Sequence, residues 1–365
     1  MNDMELKTPP ARPFILDLDR DGLAQVIAEW GEPGYRVQQI WEGLYRHFWQ
    51  SADQFDSLPL QLREKLAGNF EFRRLQPVSE LNSADHQTVK TLFQLPNHSA
   101  IESVLMKYQN RTTLCISSQA GCAMGCVFCA TGQMGLLNNL SAGEIIEQVL
   151  FYARHLQAGG EKVSNVVVMG MGEPFNNYEA TLSAIARLNH PQGFNFGSRR
   201  FTISTVGLVP FIQRFTRENH QINLAISLHA ADDQLRSSLM PINRRYPLKS
   251  LFAASLEYVQ KTRRRISFEW ALIDGVNDDL AQAEKLCSWL APFHVNGSTL
   301  CHVNLIPLNP TIQYSGKPAG NRQAQRFQEY LTSHGIPCTI RLKRGIDIQA
   351  GCGQLAVQTP PSPLV

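Results

Sequence analysis

Three cysteines, Cys122, Cys126 and Cys129, stand in CxxxCxxC spacing within Gly121-Cys-Ala-Met-Gly-Cys-Val-Phe-Cys129. Thiolates this close can hold three corners of a [4Fe–4S] cluster. Four cysteines would close such a cluster. Three leave one iron open, and the amino and carboxyl groups of S-adenosylmethionine (SAM) suit it. A structural zinc site competes with this reading, but it needs a fourth ligand. The nearest candidate is Cys115, seven residues upstream in a predicted strand. Inert core cysteines rarely bunch this way.

Other residues carry weaker signals. Met169-Gly-Met-Gly-Glu-Pro174 follows a predicted strand. Glycines there let a ligand approach the backbone, and Glu173 could receive an ammonium group; an ordinary glycine turn explains the segment equally well. Ser204, Ser227, Leu228, His229 and Asn309 fall at the ends of later predicted strands, the face where parallel β/α folds gather ligands. Each alone reads as structural. Cys352 lies between two glycines in Gly351-Cys-Gly-Gln354. That suggests a mobile, exposed turn presenting a nucleophilic thiolate, with a small buried residue as the alternative. Glu102 reads by itself as a solvent-facing strand residue. Cys287, Cys301 and Cys338 are expected in or near the core, with no assigned role.

The elements that must position these residues fall into four regions. Residues 1–80 read as a small helical domain, because QVIAEW, RVQQIWEGLYRHF and LPLQLREKLAGNF carry apolar residues at helical intervals. Residues 81–111 read as a β-extension, with a turn at Pro96-Asn97-His98. From 112 to 355 strands and helices alternate. SAGEIIEQVLFYARHL is capped by Ser141, with Glu144 three residues on. The alternation implies parallel β/α units, about six of them. A partial (β/α)6 barrel is expected, with a doubly wound sheet as the other solution. Residues 356–365, Pro-rich, are expected to be disordered.

Composition narrows the class. Hydrophobic residues make up 43% and charged residues 18%, which excludes a disordered, highly charged chain. The formal charge of +3 is too small to identify a partner. No apolar run is long enough to span a bilayer, and the N-terminal MNDMELKTPPARPF has no signal core. A cytoplasmic protein is expected. Eight cysteines in 365 residues are too few for a disulfide scaffold.

The cysteine spacing, with Phe128 before the last cysteine, is the radical-SAM signature. The surrounding text resembles the RlmN/Cfr family of RNA methyltransferases. LCISSQAGCAMGCVFCATG, VVVMGMGEPFNNY, FTISTVGLVP, LAISLHA, LMPINRRYP, HVNLIPLNP and RGIDIQAGCGQL match it in order, as does IESV with Glu102. The likeness covers nearly the whole chain and implies a radical-SAM barrel.

The resemblance assigns cluster ligation to Cys122, Cys126 and Cys129. It gives SAM binding to Gly172, Glu173, Ser204, Ser227, Leu228, His229 and Asn309. It makes Cys352 the methyl acceptor, Cys115 the resolving cysteine that forms a disulfide with it, and Glu102 the proton acceptor. It also implies two SAM molecules per turnover. One methylates Cys352. The other yields a radical that abstracts hydrogen from that methyl, and the resulting carbon adds to adenine. An external donor such as flavodoxin or ferredoxin supplies electrons.

The implied product is 2-methyladenosine in 23S rRNA and in some tRNAs. A Cfr-type enzyme acting at C8 of the same rRNA adenosine and conferring antibiotic resistance shares these motifs. Pro174 leans towards the first, whereas Ala130-Thr131-Gly132 and Arg245-Tyr246-Pro247 look like the second. A non-catalytic, zinc-stabilised RNA-binding protein is the alternative from another class. Arg73-Arg74, Arg199-Arg200, Arg244-Arg245, Arg263-Arg264-Arg265 and Arg341 with Lys343 and Arg344 could contact phosphates, although many such clusters are merely solvated. The helical N-terminus is a candidate RNA-holding module.

Overall fold

The structure, a computed structural model, describes residues 12–295, 297–342 and 344–356. The expected disordered tail beyond 356 and the candidate phosphate contact Lys343 lie outside the described residues. Three helices open the chain: α1 (Arg20–Glu29), α2 (Tyr35–Tyr45) and α3 (Leu60–Asn69). The Asp19 side chain caps α1 by accepting from the Gly22 amide at 2.7 Å. Four antiparallel strands follow: β1 (Gln76–Asn82), β2 (Thr88–Gln94), β3 (Ala100–Tyr108) and β4 (Arg111–Cys115). The boundary expected at residue 80 therefore falls inside a strand. The run Gln76–Asn82 is mostly exposed, so its burial pattern offered no period to read.

A hairpin not expected from the sequence comes next. Its strands β5 (Gln119–Cys122) and β6 (Gly135–Asn139) bracket the cysteine loop and the short α4 (Ala130–Gln133). Gly121 is required there. Its φ is +73°, and a Cβ would lie 1.9 Å from the Gly135 carbonyl oxygen.

The β/α units then run α5 (Ala142–Ala158), β7 (Asn165–Val168), α6 (Tyr178–Asn189), β8 (Phe201–Thr205), α7 (Val209–Glu218) and β9 (Asn223–Ser227). They continue through α8 (Asp233–Leu239), α9 (Leu248–Thr262), β10 (Ile266–Leu272) and α10 (Leu280–Leu290). A two-residue pair, β11 (His294–Val295) and β12 (Ser298–Thr299), precedes β13 (Cys301–Pro307), α11 (Asn321–Ser333) and β14 (Cys338–Ile340). The expected capping box of α5 is present: the Ser141 hydroxyl accepts from the Glu144 amide, and the Glu144 carboxylate accepts from the Ser141 amide.

One sheet carries the molecule, in the order β1-β2-β3-β4-β7-β8-β9-β10-β13-β14. From β4 onward every pairing is parallel. The strands succeed one another without a reversal of order, so there is no switch point as in a doubly wound sheet. The fold is a partial barrel of six β/α strands with the short β14 added at its edge. β9, β10 and β13 are buried over most of their length, which explains their continuous apolar runs.

The helical region closes on itself where the Ile15 amide bonds the Glu71 carbonyl at 2.9 Å. It shares its core with the barrel. Gly143 on α5 is one close contact: a Cβ there would sit 2.7 Å from the Phe14 ring and 2.8 Å from Asp17 Oδ1. Among the described residues no helix is long and apolar enough to cross a membrane.

Candidate active site

Two cavities adjoin the parallel strands. The first, at their C-terminal ends, is lined by Cys122, Cys126 and Cys129 together with Gly172, Glu173, Ser204, Ser227, His229, Asn309 and Cys352. The second is lined by Cys115 and Cys352 with Arg111, Glu269, Arg341 and Arg344. Both walls include Met169, Glu269, Ile306, Asn309 and Cys352. The fold thus joins Cys115 and Cys352, which are remote in sequence, around one space.

Cys122 ends β5, and Cys126 and Cys129 lie in the loop that follows. The Val127 amide donates to the Leu239 carbonyl at 3.0 Å, and the Gln133 side chain donates to the Val127 carbonyl at 2.7 Å. Gly132 packs so tightly that a Cβ would meet the Cys126 backbone at 3.0 Å. Burial pushes the Cys122 thiol up to about 12 and the Cys126 and Cys129 thiols upward as well, and neighbouring thiols push Cys122 and Cys126 further. Arg236 draws Cys126 back only in part. Three thiolates here require a strongly cationic group between them, which an iron–sulfur cluster provides. Among the described residues, no three His, Cys, Asp or Glu side chains gather around a point as ligands of a single metal ion do. A cluster, in which each thiolate takes a different iron, fits this loop better than zinc.

The strand ends shape the rest of the first cavity. Gly172 has φ +102°, and a Cβ would lie 2.6 Å from Gln119 Cβ and 2.8 Å from Ser118 Oγ. That hydroxyl is buried without a partner. Only glycine lets this strand end pack against Ser118 and Gln119 while its backbone lines the cavity. The Glu173 carboxylate accepts from the Phe175 amide at 3.0 Å and the Val206 amide at 2.9 Å. Burial outweighs these bonds and pushes the group up to about 7. Ser204 and Ser227 hydroxyls lie 3.3 Å apart.

His229 has φ +61°, and its Nδ1 accepts from the Ala271 amide at 2.8 Å. Burial pushes its pKa down to about 3. The ring is therefore neutral, with its proton on Nε2 as the one donor it can offer. Leu228 differs from expectation. It is fully buried and lines neither cavity; its backbone bonds Glu269 and Arg236 instead.

The turn bearing Cys352 is pinned, not the mobile turn the flanking glycines suggested. Asn309 Nδ2 donates to the Cys352 carbonyl at 3.0 Å, the Ala130 amide to the Gly353 carbonyl at 2.8 Å, and Thr131 Oγ1 to the Leu355 carbonyl at 2.6 Å. Cys352 is exposed, with its surface on the two cavities. Their walls still enclose it and push the thiol up to about 12, with Cys129 and Glu269 adding and Arg341 opposing. Cys115 is likewise pushed up to about 12 by burial, with Cys352 in electrostatic reach.

Glu102 is placed differently from the solvent-facing residue its strand pattern suggests. It is 4% exposed, pairs with Lys90 at 2.9 Å, and has the Ala356 amide in electrostatic reach. It lines neither cavity. Lys90 also donates to the Gln349 carbonyl at 3.3 Å. This buried pair therefore ties down the segment leading to Cys352 through Gln349.

Several positioning residues escaped sequence reading. Arg236, fully buried, donates to the Leu228, Val206 and Ser227 carbonyls and to Asn243. Gln119 accepts from the Glu173 amide at 2.8 Å, and Gln148 bonds Ser103 and both backbone groups of Ser117. A glutamine or arginine inside an otherwise helical or strand pattern reads as surface, so no signal marked them. Of the arginine clusters, only Arg341 and Arg344 reach a cavity wall. Arg74 is spent on Asp17 and Glu71. Cys301 is buried, and Cys287 and Cys338 are half-buried, as expected.

Residues 116–287 match the Radical SAM superfamily, and residues 15–72 match the ribosomal RNA large subunit methyltransferase N-terminal domain. A probable dual-specificity RNA methyltransferase RlmN of Chloroflexus aurantiacus is 49% identical over 94% of this chain and 92% of its own. The dual-specificity RNA methyltransferase RlmN 1 of Myxococcus xanthus is 46% identical over 93% of each. The crystal structure of a radical SAM methyltransferase from Sphaerobacter thermophilus superposes with a TM-score of 0.90 at 49% identity, covering 94% of this chain and 99% of that one.

Proposed function

This chain belongs to the RlmN family of radical-SAM RNA methyltransferases, and from that premise we propose that it methylates C2 of an adenosine in 23S rRNA and of an adenosine in some tRNAs. One observation carries the reading: Cys352 lines both cavities, between the three-cysteine loop and Cys115. A thiol at that junction can take a methyl group from one side and present it to a base on the other.

A [4Fe–4S] cluster on Cys122, Cys126 and Cys129, with SAM, supplies the one-electron chemistry that an electron-poor ring carbon demands. Gly172, Glu173, Ser204, Ser227, His229 and Asn309 hold SAM, Glu173 through the ammonium and the serines through hydroxyl contacts. Two SAM molecules are used per turnover, one to methylate Cys352. Leu228 contributes through the backbone geometry it stabilises.

Cys115 resolves the RNA adduct. Its thiolate attacks the Cys352 sulfur, an S–S bond forms, the bond from that sulfur to the base-linked carbon breaks, and its electron pair is captured by a proton. A flavodoxin or ferredoxin returns electrons to the system. Glu102 takes the ring proton, which requires the Ala356 end of the C-terminal segment to move off its carboxylate. The helical residues up to 69 assist in holding RNA.

The test is mass spectrometry of rRNA after reaction. A methyl group at C2 supports the reading. A methyl group at C8 assigns the chain the Cfr-type reaction instead.

A further inference from the structure

Glu269 lies on β10 in register with Ser227 on β9 and Asn304 on β13. The residue is 5% exposed, and it lines both cavities. Asn304 Nδ2 donates to Oε1 at 2.8 Å and fixes the carboxylate. Asn304 is the one hydrogen-bond partner of the carboxylate among the described residues, and Oε2 is left open. Across the second cavity stands Arg341, exposed and following β14. Its amide is tied to the Leu305 carbonyl at 2.8 Å. Among the described residues its guanidinium makes neither a hydrogen bond nor a salt bridge, although its charge reaches Glu269 and Cys352.

An anchored acceptor and a free donor thus face one space beside the reactive thiol. We propose that Glu269 and Arg341 read the target base: Glu269 Oε2 accepts from the exocyclic amine of adenine, and Arg341 donates to a ring nitrogen. This rests on the adenine reading above and adds its specificity determinant. Adenine offers an amine where guanine offers the O6 acceptor. A carboxylate meeting O6 leaves two acceptors face to face in a dry site, so guanine is rejected. A base lacking the amine leaves Glu269 unpaired. The role needs no proton transfer and makes Glu269 a specificity residue.

The experiment is a cycle of enzyme and substrate changes. RNA hairpins carry either adenosine or purine riboside, which lacks the amine, at the target position. Cluster iron and methyl loading of Cys352 without RNA are measured alongside. The native enzyme should prefer adenosine by roughly ten- to a hundredfold. Glu269→Ala should lose that factor on adenosine and lose little on purine riboside, so that the preference collapses. Glu269→Gln, which keeps an acceptor, should retain part of it.

An unchanged preference in Glu269→Ala overturns the inference. So does loss of methyl loading, which would place the carboxylate in the SAM site. If Glu269→Ala fails to assemble its cluster, Arg341→Met decides. At its exposed position it should load methyl normally and lose about tenfold on adenosine, with Arg341→Lys restoring part; undiminished methylation by Arg341→Met overturns the proposal. A native enzyme that leaves the adenosine unmethylated would remove the functional reading itself, a result distinct from either.

Discussion

Asn309 donates through Nδ2 to the carbonyl of Cys352 at 3.0 Å, so a residue expected to serve the cofactor also holds the turn of the proposed methyl acceptor. Gly351 presses on the same amide: a Cβ there would lie 2.6 Å from Asn309 Nδ2. Asn309→Ala and Gly351→Ala should both misplace the thiol. Methyl loading of Cys352, followed by intact-protein mass spectrometry, should fall about ten- to a hundredfold. Iron content should stay near normal. Full loading in both variants would show that the turn holds its place without this contact.

The three proposed cluster ligands should fail differently from Cys115 and Cys352. Cys126→Ala should lose iron, acid-labile sulfide and SAM cleavage when purified without oxygen. Cys352→Ala should keep the cluster and load no methyl. Cys115→Ala should load methyl and attack RNA, then accumulate a covalent RNA–protein complex on denaturing gels, since no thiol resolves it. The double variant should form none. Normal multiple turnover by Cys115→Ala would rule out the disulfide step.

Lys90 and Glu102 form an ion pair with side chains 8% and 5% exposed. Burial raises the Glu102 carboxyl, and Lys90 opposes the rise. A carboxyl raised in the folded state contributes stability at low pH and loses it as pH climbs through its folded value. Lys90→Met removes the opposing charge, so this loss should deepen. The variant should be destabilised by about 3 kcal/mol at pH 8 and by clearly less at pH 5.5. Urea unfolding at the two pH values is the check, and a pH-independent penalty would show that packing dominates.

Arg236 ties the ends of β8 and β9 through three carbonyls. Arg236→Met should strand those acceptors and cost roughly 3 kcal/mol in stability. Arg236→Lys keeps the charge but loses the planar fork, so it should fold more stably than the methionine variant yet bind SAM about tenfold more weakly. Equilibrium binding of SAM to the reconstituted holoenzyme tests this.

Gly143 seats the N-terminal segment on α5. Gly143→Ala should lower stability by about 1–3 kcal/mol because Phe14 and the Leu16 backbone must shift. Thermal unfolding reads it. Deleting residues 1–80 would be a harsher change than removal of a separate module, because it takes away β1 and part of a shared core.

The parts of the protein legible in its sequence were those governed by local chemistry. The CxxxCxxC spacing, the Ser141–Glu144 cap and the continuous apolar runs of the buried parallel strands each depend on neighbours within a few residues. They identified the cysteine loop, α5 and the six-strand barrel. The tertiary structure decided what depends on distant partners. β1 carries no burial period and is a strand because β2 pairs with it. Cys352 looked mobile beside its glycines, yet Asn309, Ala130 and Thr131 pin its turn from two other parts of the chain. Glu102 looked solvent-facing, and its burial against Lys90 follows from β2–β3 register together with the Ala356 segment. Arg236 and Glu269 are polar residues whose sequence pattern says surface. Only folding supplies the carbonyls and the asparagine that make their burial affordable, since a buried polar group is stable where its hydrogen bonds are met.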